Sequence, residues 1–337
     1  MRFLTGIKPT GDLHLGNYVG AMRPILELLR PGDTEGFLFI ADGHALTSVH
    51  DGAAMRRMTK GVAAAWLAAF KAQTTIETLP LFYRQSAVPQ VFELFWILSC
   101  VCPKGLMNRA HAYKAVVQPR IEAAEDDIDR DVSMGLFNYP VLMAADILLF
   151  GAQRVPVGPD QLQHVEIARD LAQKFNQAFG DVLEVPEAVI PKDVPVLEGL
   201  DGRKMSKSYG NVIPLFCSEK ELRALIFKIK TNSQRPEEPK DPKACSLFKL
   251  FQAFAASEEV SQLRQRYEAG IGWAEVKEQT FAVVQQALAP LRCHYDTLMS
   301  DPSAIETTLL EGEARARGLA EKLMRRVRRR VGFAAAA

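Results

Sequence analysis

The sequence predicts an α/β fold, a parallel sheet faced by helices and followed by an all-helical region. Three observations carry that expectation. Short apolar runs alternate with amphipathic segments ahead of Pro89, a glycine-rich turn joins the first run to the first amphipathic segment, and beyond Asn211 only helical texture with Pro-rich breaks remains. Together they describe a Rossmann-type nucleotide-binding domain with a helical insertion, plus a C-terminal all-helical domain.

The strand candidates are "RFLTG" from Arg2, "GFLFIAD" from Gly36 and "LPLFYRQ" from Leu79. Between the second and third, "AAMRRMTKGVAAAWLAAF" sets Met58, Val62, Ala65 and Ala69 at helical spacing and leaves Arg57 and Lys60 off that stripe, so this helix packs on the sheet. From about residue 90 to 180 the texture is helical, through "QVFELFWILSCVC", "NYPVLMAADILLF" and "VGPDQLQHVEIARDLAQKF", before a strand-like "DVLEVPEAVI". This stretch reads as the insertion. "LEGLDGRKMSKSYGN" has the Gly and polar content of a mobile loop, and "RPEEPKDPKA" breaks the helices after it. The expected domains are therefore 1–203 and 204–333.

Composition narrows the class. With 337 residues, 48% hydrophobic and 24% charged, the chain is globular and neither disordered nor fibrous. A formal charge of +1 excludes a polyelectrolyte surface, so any RNA contact must be local. Arg325, Arg326, Arg328, Arg329 and Arg330 form one basic patch, which reads equally as an RNA contact or as a solvated helix end favoured by the helix dipole. Five scattered cysteines, an odd number without paired spacing, argue against a disulfide framework. No signal-peptide pattern opens the chain and no apolar run reaches ~18 residues, so a soluble cytoplasmic protein without a membrane partner is expected.

The stretch "TGIKPTGDLHLGNYVGA", Thr5 to Ala21, is built for a guest. In an open α/β sheet ligands sit beyond the carboxyl ends of the strands, where a helix N-terminus offers unpaired N–H groups and a favourable dipole to phosphate. Gly6 and Gly11 permit close backbone approach, and Gly16 with Asn17 starts a helix whose inner face is Val19, Met22, Leu26 and Leu29. His14 and Asn17 then face the guest. Pro24 should bend this helix. The second motif, "KMSKS" from Lys204 to Ser208, offers two ammonium groups and two hydroxyls in a Gly-flanked frame, suited to cradling a triphosphate and neutralising charge as pyrophosphate leaves.

"HLGN" and "KMSKS", in this order, resemble the two signatures of the class I aminoacyl-tRNA synthetases. "GLFNYPVLMAADILLF" and "VPVGPDQLQHVEIARDLAQKF" resemble motifs of the tryptophan branch of that family, and the resemblance runs over nearly the whole chain. It implies activation of L-tryptophan by ATP, with Mg2+ accompanying ATP, followed by transfer to tRNA(Trp). It implies catalytic roles for His14, Asn17, Lys114, Lys204 and Lys207. ATP is then held by Lys8, Pro9, Thr10, Gly16, Asn17, Gly158, Pro159, Asp160, Val196, Lys204, Met205, Ser206, Lys207 and Ser208. For tryptophan it implies Leu4, Gly6, His44, Tyr139, Met143, Asp146, Val155, Val157 and Gln161, with Tyr139 and Gln161 meeting the ammonium group.

Asp146 also stands on its own chemistry. The indole N–H is a donor only, and Asp146 is the one polar residue from Val141 to Phe150, where an unpaired carboxylate would be costly to bury. Lys8 stands where relatives often have glutamine or arginine, and Pro159 where most carry an acidic residue. Some relatives hold an iron–sulfur cluster on four cysteines. Here "KACSLFKLFQAF" retains Cys245, but no cysteine occurs from Ser246 to Arg292, so no cluster and no protein-held metal is expected. A homodimer is expected from the resemblance and from the apolar excess of "VFELFWILSCVC". The alternatives are a tyrosine-specific member of the same class, a small-molecule nucleotidylyltransferase sharing the phosphate loop, and a non-catalytic paralogue.

Overall fold

The chain's computed structural model describes residues 1–9, 11–29, 35–73, 79–190 and 195–333; Thr10 lies outside them. Strand β1 (Arg2–Ile7) leads through the glycine-rich turn into helix α1, residues 15–28, then β2 (Glu35–Ile40), α2 (Gly52–Ala72) and β3 (Leu81–Arg84). The three apolar runs are thus strands as expected. Helices α3 (Pro89–Val101), α4 (His111–Glu122) and α5 (Met134–Leu149) follow, then β4 (Arg154–Pro156), α6 (Leu162–Phe179) and β5 (Glu187–Val189). The remainder is helical: α7 (Glu219–Lys228), α8 (Ser246–Phe254), α9 (Ser257–Ala269), α10 (Trp273–Ser300) and α11 (Pro302–Val331).

All five strands are parallel, in the order β3-β2-β1-β4-β5, with Leu4 opposite Phe37, Phe37 opposite Leu81, Phe3 opposite Arg154 and Val155 opposite Ala188. Strand β4 pairs beside β1 yet lies inside the stretch that reads as helical from sequence. Only three residues long and ending in Pro156, it has too few positions to show a strand period. Of "DVLEVPEAVI", only Glu187–Val189 pairs.

Side chains alternate across the sheet and feed two cores. Phe3, Leu38 and Phe82 pack with α1, α2 and α7 to α10; Leu4, Phe37, Phe39, Leu81 and Tyr83 pack with α3, α5, α6 and the last turns of α11. The division therefore follows sheet faces, not chain order. Helix α2, whose Asp51 cap accepts from Ala53 N–H at 2.8 Å and Ala54 N–H at 3.2 Å, is buried all round from Val62 to Phe70 because the sheet covers one side and α10 the other. Helix α11 returns to the edge strand. Its Gly312 lies so close to the Phe82 carbonyl that a Cβ there would sit 1.8 Å from the oxygen, and its buried Glu313 pairs with Arg84. Helix α1 contains a π-helical turn, Tyr18–Met22, in which Arg23 N–H bonds the Tyr18 carbonyl. That wider turn ends just before Pro24, whose missing N–H falls at the start of the next α-helical segment, Arg23–Leu28, so the proline is accommodated.

Candidate active site

With β2 on one side of β1 and β4 on the other, the crossovers part at the β1/β4 boundary, and the carboxyl ends of the strands open a crevice there. A cavity of about 390 Å³ fills it. Its lining includes all nine residues that the sequence points to for the amino acid slot: Leu4, Gly6, His44, Tyr139, Met143, Asp146, Val155, Val157 and Gln161. Strand β1 supplies the first two, the turn after β2 supplies His44, α5 supplies Tyr139, Met143 and Asp146, and β4 with its exit the last three. Gly6 has a steric reason, since a Cβ there would lie 2.4 Å from the Phe39 ring that forms part of the wall.

Asp146 is fully buried on α5. Its Oδ2 lies 2.9 Å from His44 Nε2, and Gln85 Nε2 donates to both of its oxygens at 2.9 Å. Burial pushes its carboxyl up, while the His44 and Gln85 hydrogen bonds pull it back down. A carboxylate has about four acceptor positions, and these contacts use three. One remains, on a group that lines the cavity.

Toward the mouth, Tyr139 Oη lies 2.6 Å from His164 Nε2, and Gln161 ends the short turn Pro159–Gln161 that caps β4. Burial raises the Tyr139 phenol and depresses the His164 imidazole. Lys8 Nζ donates to Thr47 Oγ1 at 2.8 Å, and that hydroxyl donates to the His44 carbonyl at 2.8 Å. The lysine is thereby tied to the histidine loop as well as to the cavity wall.

The two signature segments meet beside this slot. Leu15 N–H bonds the Ile213 carbonyl at 3.0 Å and Leu215 N–H the Leu13 carbonyl at 2.9 Å, so the backbone after the lysine-rich loop is stitched along the glycine-rich turn. Gly11 adopts φ +97°, a left-handed conformation that favours glycine, and a Cβ there would sit 3.4 Å from Lys207 Nζ. At Gly16 a Cβ would press on the His14 ring at 3.0 Å. His14 is buried, with Nδ1 unpartnered among the described residues, and its imidazole is held down to about 4 by burial and by nearby Lys207. Asn17 Oδ1 accepts from the His14 N–H at 3.1 Å, locking the turn. Asn211, 3% exposed, shapes the other loop: it accepts from Ser206 N–H at 2.8 Å and donates to Asp201 at 2.7 Å and to the Lys204 carbonyl at 3.2 Å. Asp201 is held down to about 2, chiefly by that bond and by Arg203.

Met205 is buried beneath this loop, Ser206 is half-buried, and Lys204, Lys207 and Ser208 are exposed. Pro9 is buried beside Lys8; Gly158, Pro159 and Asp160 form the turn after β4, where a Cβ on Gly158 would sit 2.6 Å from Asp160 Oδ1. Val196 is 63% exposed, and Lys114 lies on the exposed face of α4, outside the cavity lining. Gln85 and Asn211 escape the sequence reading. Gln85 directly follows the third strand, and residues just past the carboxyl end of a parallel strand are where this fold places ligand-side chemistry, a signal that could have found it. Asn211 offers none, because its partners are set by the folded loop.

A family model described as tRNA synthetases class I (W and Y) matches residues 1–289. The tryptophan–tRNA ligase of Xanthomonas campestris pv. campestris is 50% identical over 334 residues, covering 98% of this chain and 76% of that protein. That of Neisseria meningitidis serogroup A is 47% identical and covers 98% of both. Among solved structures, tryptophanyl-tRNA synthetase from Campylobacter jejuni, complexed with ADP and tryptophan, superposes with a TM-score of 0.86 at 40% identity, over 99% of this chain and 100% of that one. A tyrosyl-tRNA synthetase from Aeropyrum pernix, 19% identical with a TM-score of 0.65, shares the fold.

Proposed function

This chain belongs to the class I tRNA synthetases of the tryptophan and tyrosine branch, and from that membership we infer that it is a tryptophan–tRNA ligase. It activates L-tryptophan with ATP to tryptophanyl-adenylate and pyrophosphate, then transfers tryptophan to the 3′ end of tRNA(Trp). The observation that carries the reading is Asp146, a buried acceptor in the wall of a largely apolar slot, matched to an indole N–H that can only donate.

The chemistry asks little of the protein beyond position and charge. A tryptophan carboxylate oxygen attacks the α-phosphorus of ATP in line, the bond to the β-phosphate oxygen breaks, and pyrophosphate departs with the electron pair. We assign Gly16, Asn17 and neutral His14 to the ATP turn, and Lys204, Ser206 and Lys207 to the departing charge; Lys207 is supported by its place over Gly11. Gly158 and Asp160 are assigned to the ribose and Lys114 to phosphate, in line with the family motif. Mg2+ enters the proposal with ATP, as substrate, because the family resemblance implies it.

Residues 1–203 are proposed as the catalytic unit and 204–333 as the signature loop and anticodon-binding helices. A homodimer is proposed as well, supported by Phe92 and Trp96, which stand one turn apart on α3 and are 40% and 65% exposed. A monomer by light scattering at assay concentration would overturn the dimer. A cytoplasmic location belongs to the same proposal; among the described residues no helix is long and apolar enough to cross a membrane. The reaction is tested by ATP–pyrophosphate exchange with tryptophan beside tyrosine and phenylalanine. Exchange specific to tryptophan is expected, and equal or faster exchange with tyrosine would overturn the assignment.

A further inference from the structure

Gln85 has no exposed surface, sits just past the end of β3 outside the cavity lining, and touches both His44 and Asp146 in the wall of the slot. Its Oε1 accepts the backbone N–H of His44 at 3.2 Å while its Nε2 donates to Asp146 Oδ1 and Oδ2 at 2.9 Å each. The neighbours fix which way the amide points: turned over, it would set its oxygen against a carboxylate and its NH2 against an N–H. A primary amide is the neutral group that presents an acceptor to one and a donor to the other. Glutamate of the same length would confront Asp146 with a second carboxyl group. Gly43 guards the position, since a Cβ there would lie 2.7 Å from Gln85 Oε1.

We propose that Gln85 is a positioning residue for tryptophan selection: it clamps the Asp146 carboxylate in the rotamer that leaves one lone pair open to the indole N–H. It reaches the substrate only through Asp146. Because the Nε2 contact is shared between both oxygens, it opposes rotation of the carboxylate, while the His44 backbone contact anchors the amide to the loop carrying the second partner of Asp146. Without that clamp His44 remains, among the described residues, the sole side chain bonded to the carboxylate, through one oxygen, and the carboxylate is free to turn its open lone pair away. The inference rests on the assignment of Asp146 to the indole N–H.

The test uses two ligands of nearly equal shape, tryptophan and 3-benzothienylalanine, in which sulfur replaces the N–H. Dissociation constants for both are measured by calorimetry on the full chain, as wild type, Gln85→Met and Gly43→Ala. The second variant keeps every polar group and presses chiefly on the amide, with a lesser contact to the Phe92 ring at 3.3 Å, so it gives a readout even if Gln85→Met fails to fold. A bond to a charged acceptor predicts about a tenfold or greater loss of tryptophan affinity in Gln85→Met and a smaller loss in Gly43→Ala, with the sulfur analogue changed by less than about twofold. Equal weakening of both ligands would make Gln85 merely structural and overturn the proposal, as would wild-type selectivity surviving in both variants. Wild-type protein that binds the two ligands alike would instead overturn the Asp146 assignment, and the proposal with it.

Discussion

Replacing Asp146 by alanine tests the centre of the site. The side chain is fully buried and engages His44 Nε2 and Gln85 Nε2 at 2.9 Å. Truncation strands both donors. His44, with its side chain 12% exposed, can turn toward water in the cavity, whereas Gln85 cannot, so the stability cost is set by one buried unsatisfied donor at about 1–3 kcal/mol. Loss of a carboxylate whose burial raises its pKa offsets part of that cost. A drop in Tm of a few degrees is expected for a chain of this length. Binding loses a hydrogen bond to a charged acceptor, about 1.5–3 kcal/mol, or roughly 10- to 150-fold in tryptophan affinity. Tryptophan-dependent pyrophosphate exchange, with tryptophan and ATP varied in turn, reads this as a raised tryptophan KM with the ATP KM unchanged. A normal tryptophan KM in a folded variant, or an equal rise in both constants, would refute the assignment.

Lys207→Ala should lower the single-turnover adenylation rate while leaving tryptophan binding nearly unchanged, because its charge matters most as pyrophosphate leaves; an unaltered rate would reduce the loop to a structural feature. His14, held down to about 4 from 6.5, makes the unfolded chain the better proton binder between those values, so its contribution to stability is complete above pH 6.5 and is lost as pH falls through the window. His14→Gln should flatten that part of the Tm-against-pH curve, and identical slopes would contradict it. The purified protein should be colourless and active without added iron. Cys245, whose Sγ lies 3.4 Å from Tyr267 Oη, should tolerate serine at about 1 kcal/mol, and a visible absorption band lost together with activity in that variant would overturn this.

Much of this was legible in the sequence because it is local. A strand shows its period within a few residues, so β1, β2 and β3 could be read directly, and a glycine-rich turn between strand and helix, taken with the lysine-rich loop downstream, points to an anion site. Chemistry also made Asp146 legible: a lone carboxylate in the apolar run from Val141 to Phe150 must be buried, and a buried carboxylate must have partners. The identity of those partners was not. His44 and Gln85 lie 102 and 61 residues away and meet Asp146 only because β2, β3 and α5 converge at the carboxyl edge of the sheet. Strand β4 became visible only through its pairing with β1 and β5, and α11 reads as one more C-terminal helix until Gly312 lets it lie against the Phe82 carbonyl. Periodicity states which face of a segment must be covered; long-range packing alone decides what covers it, and here that packing turned separate motifs into one slot with a clamped acceptor in its wall.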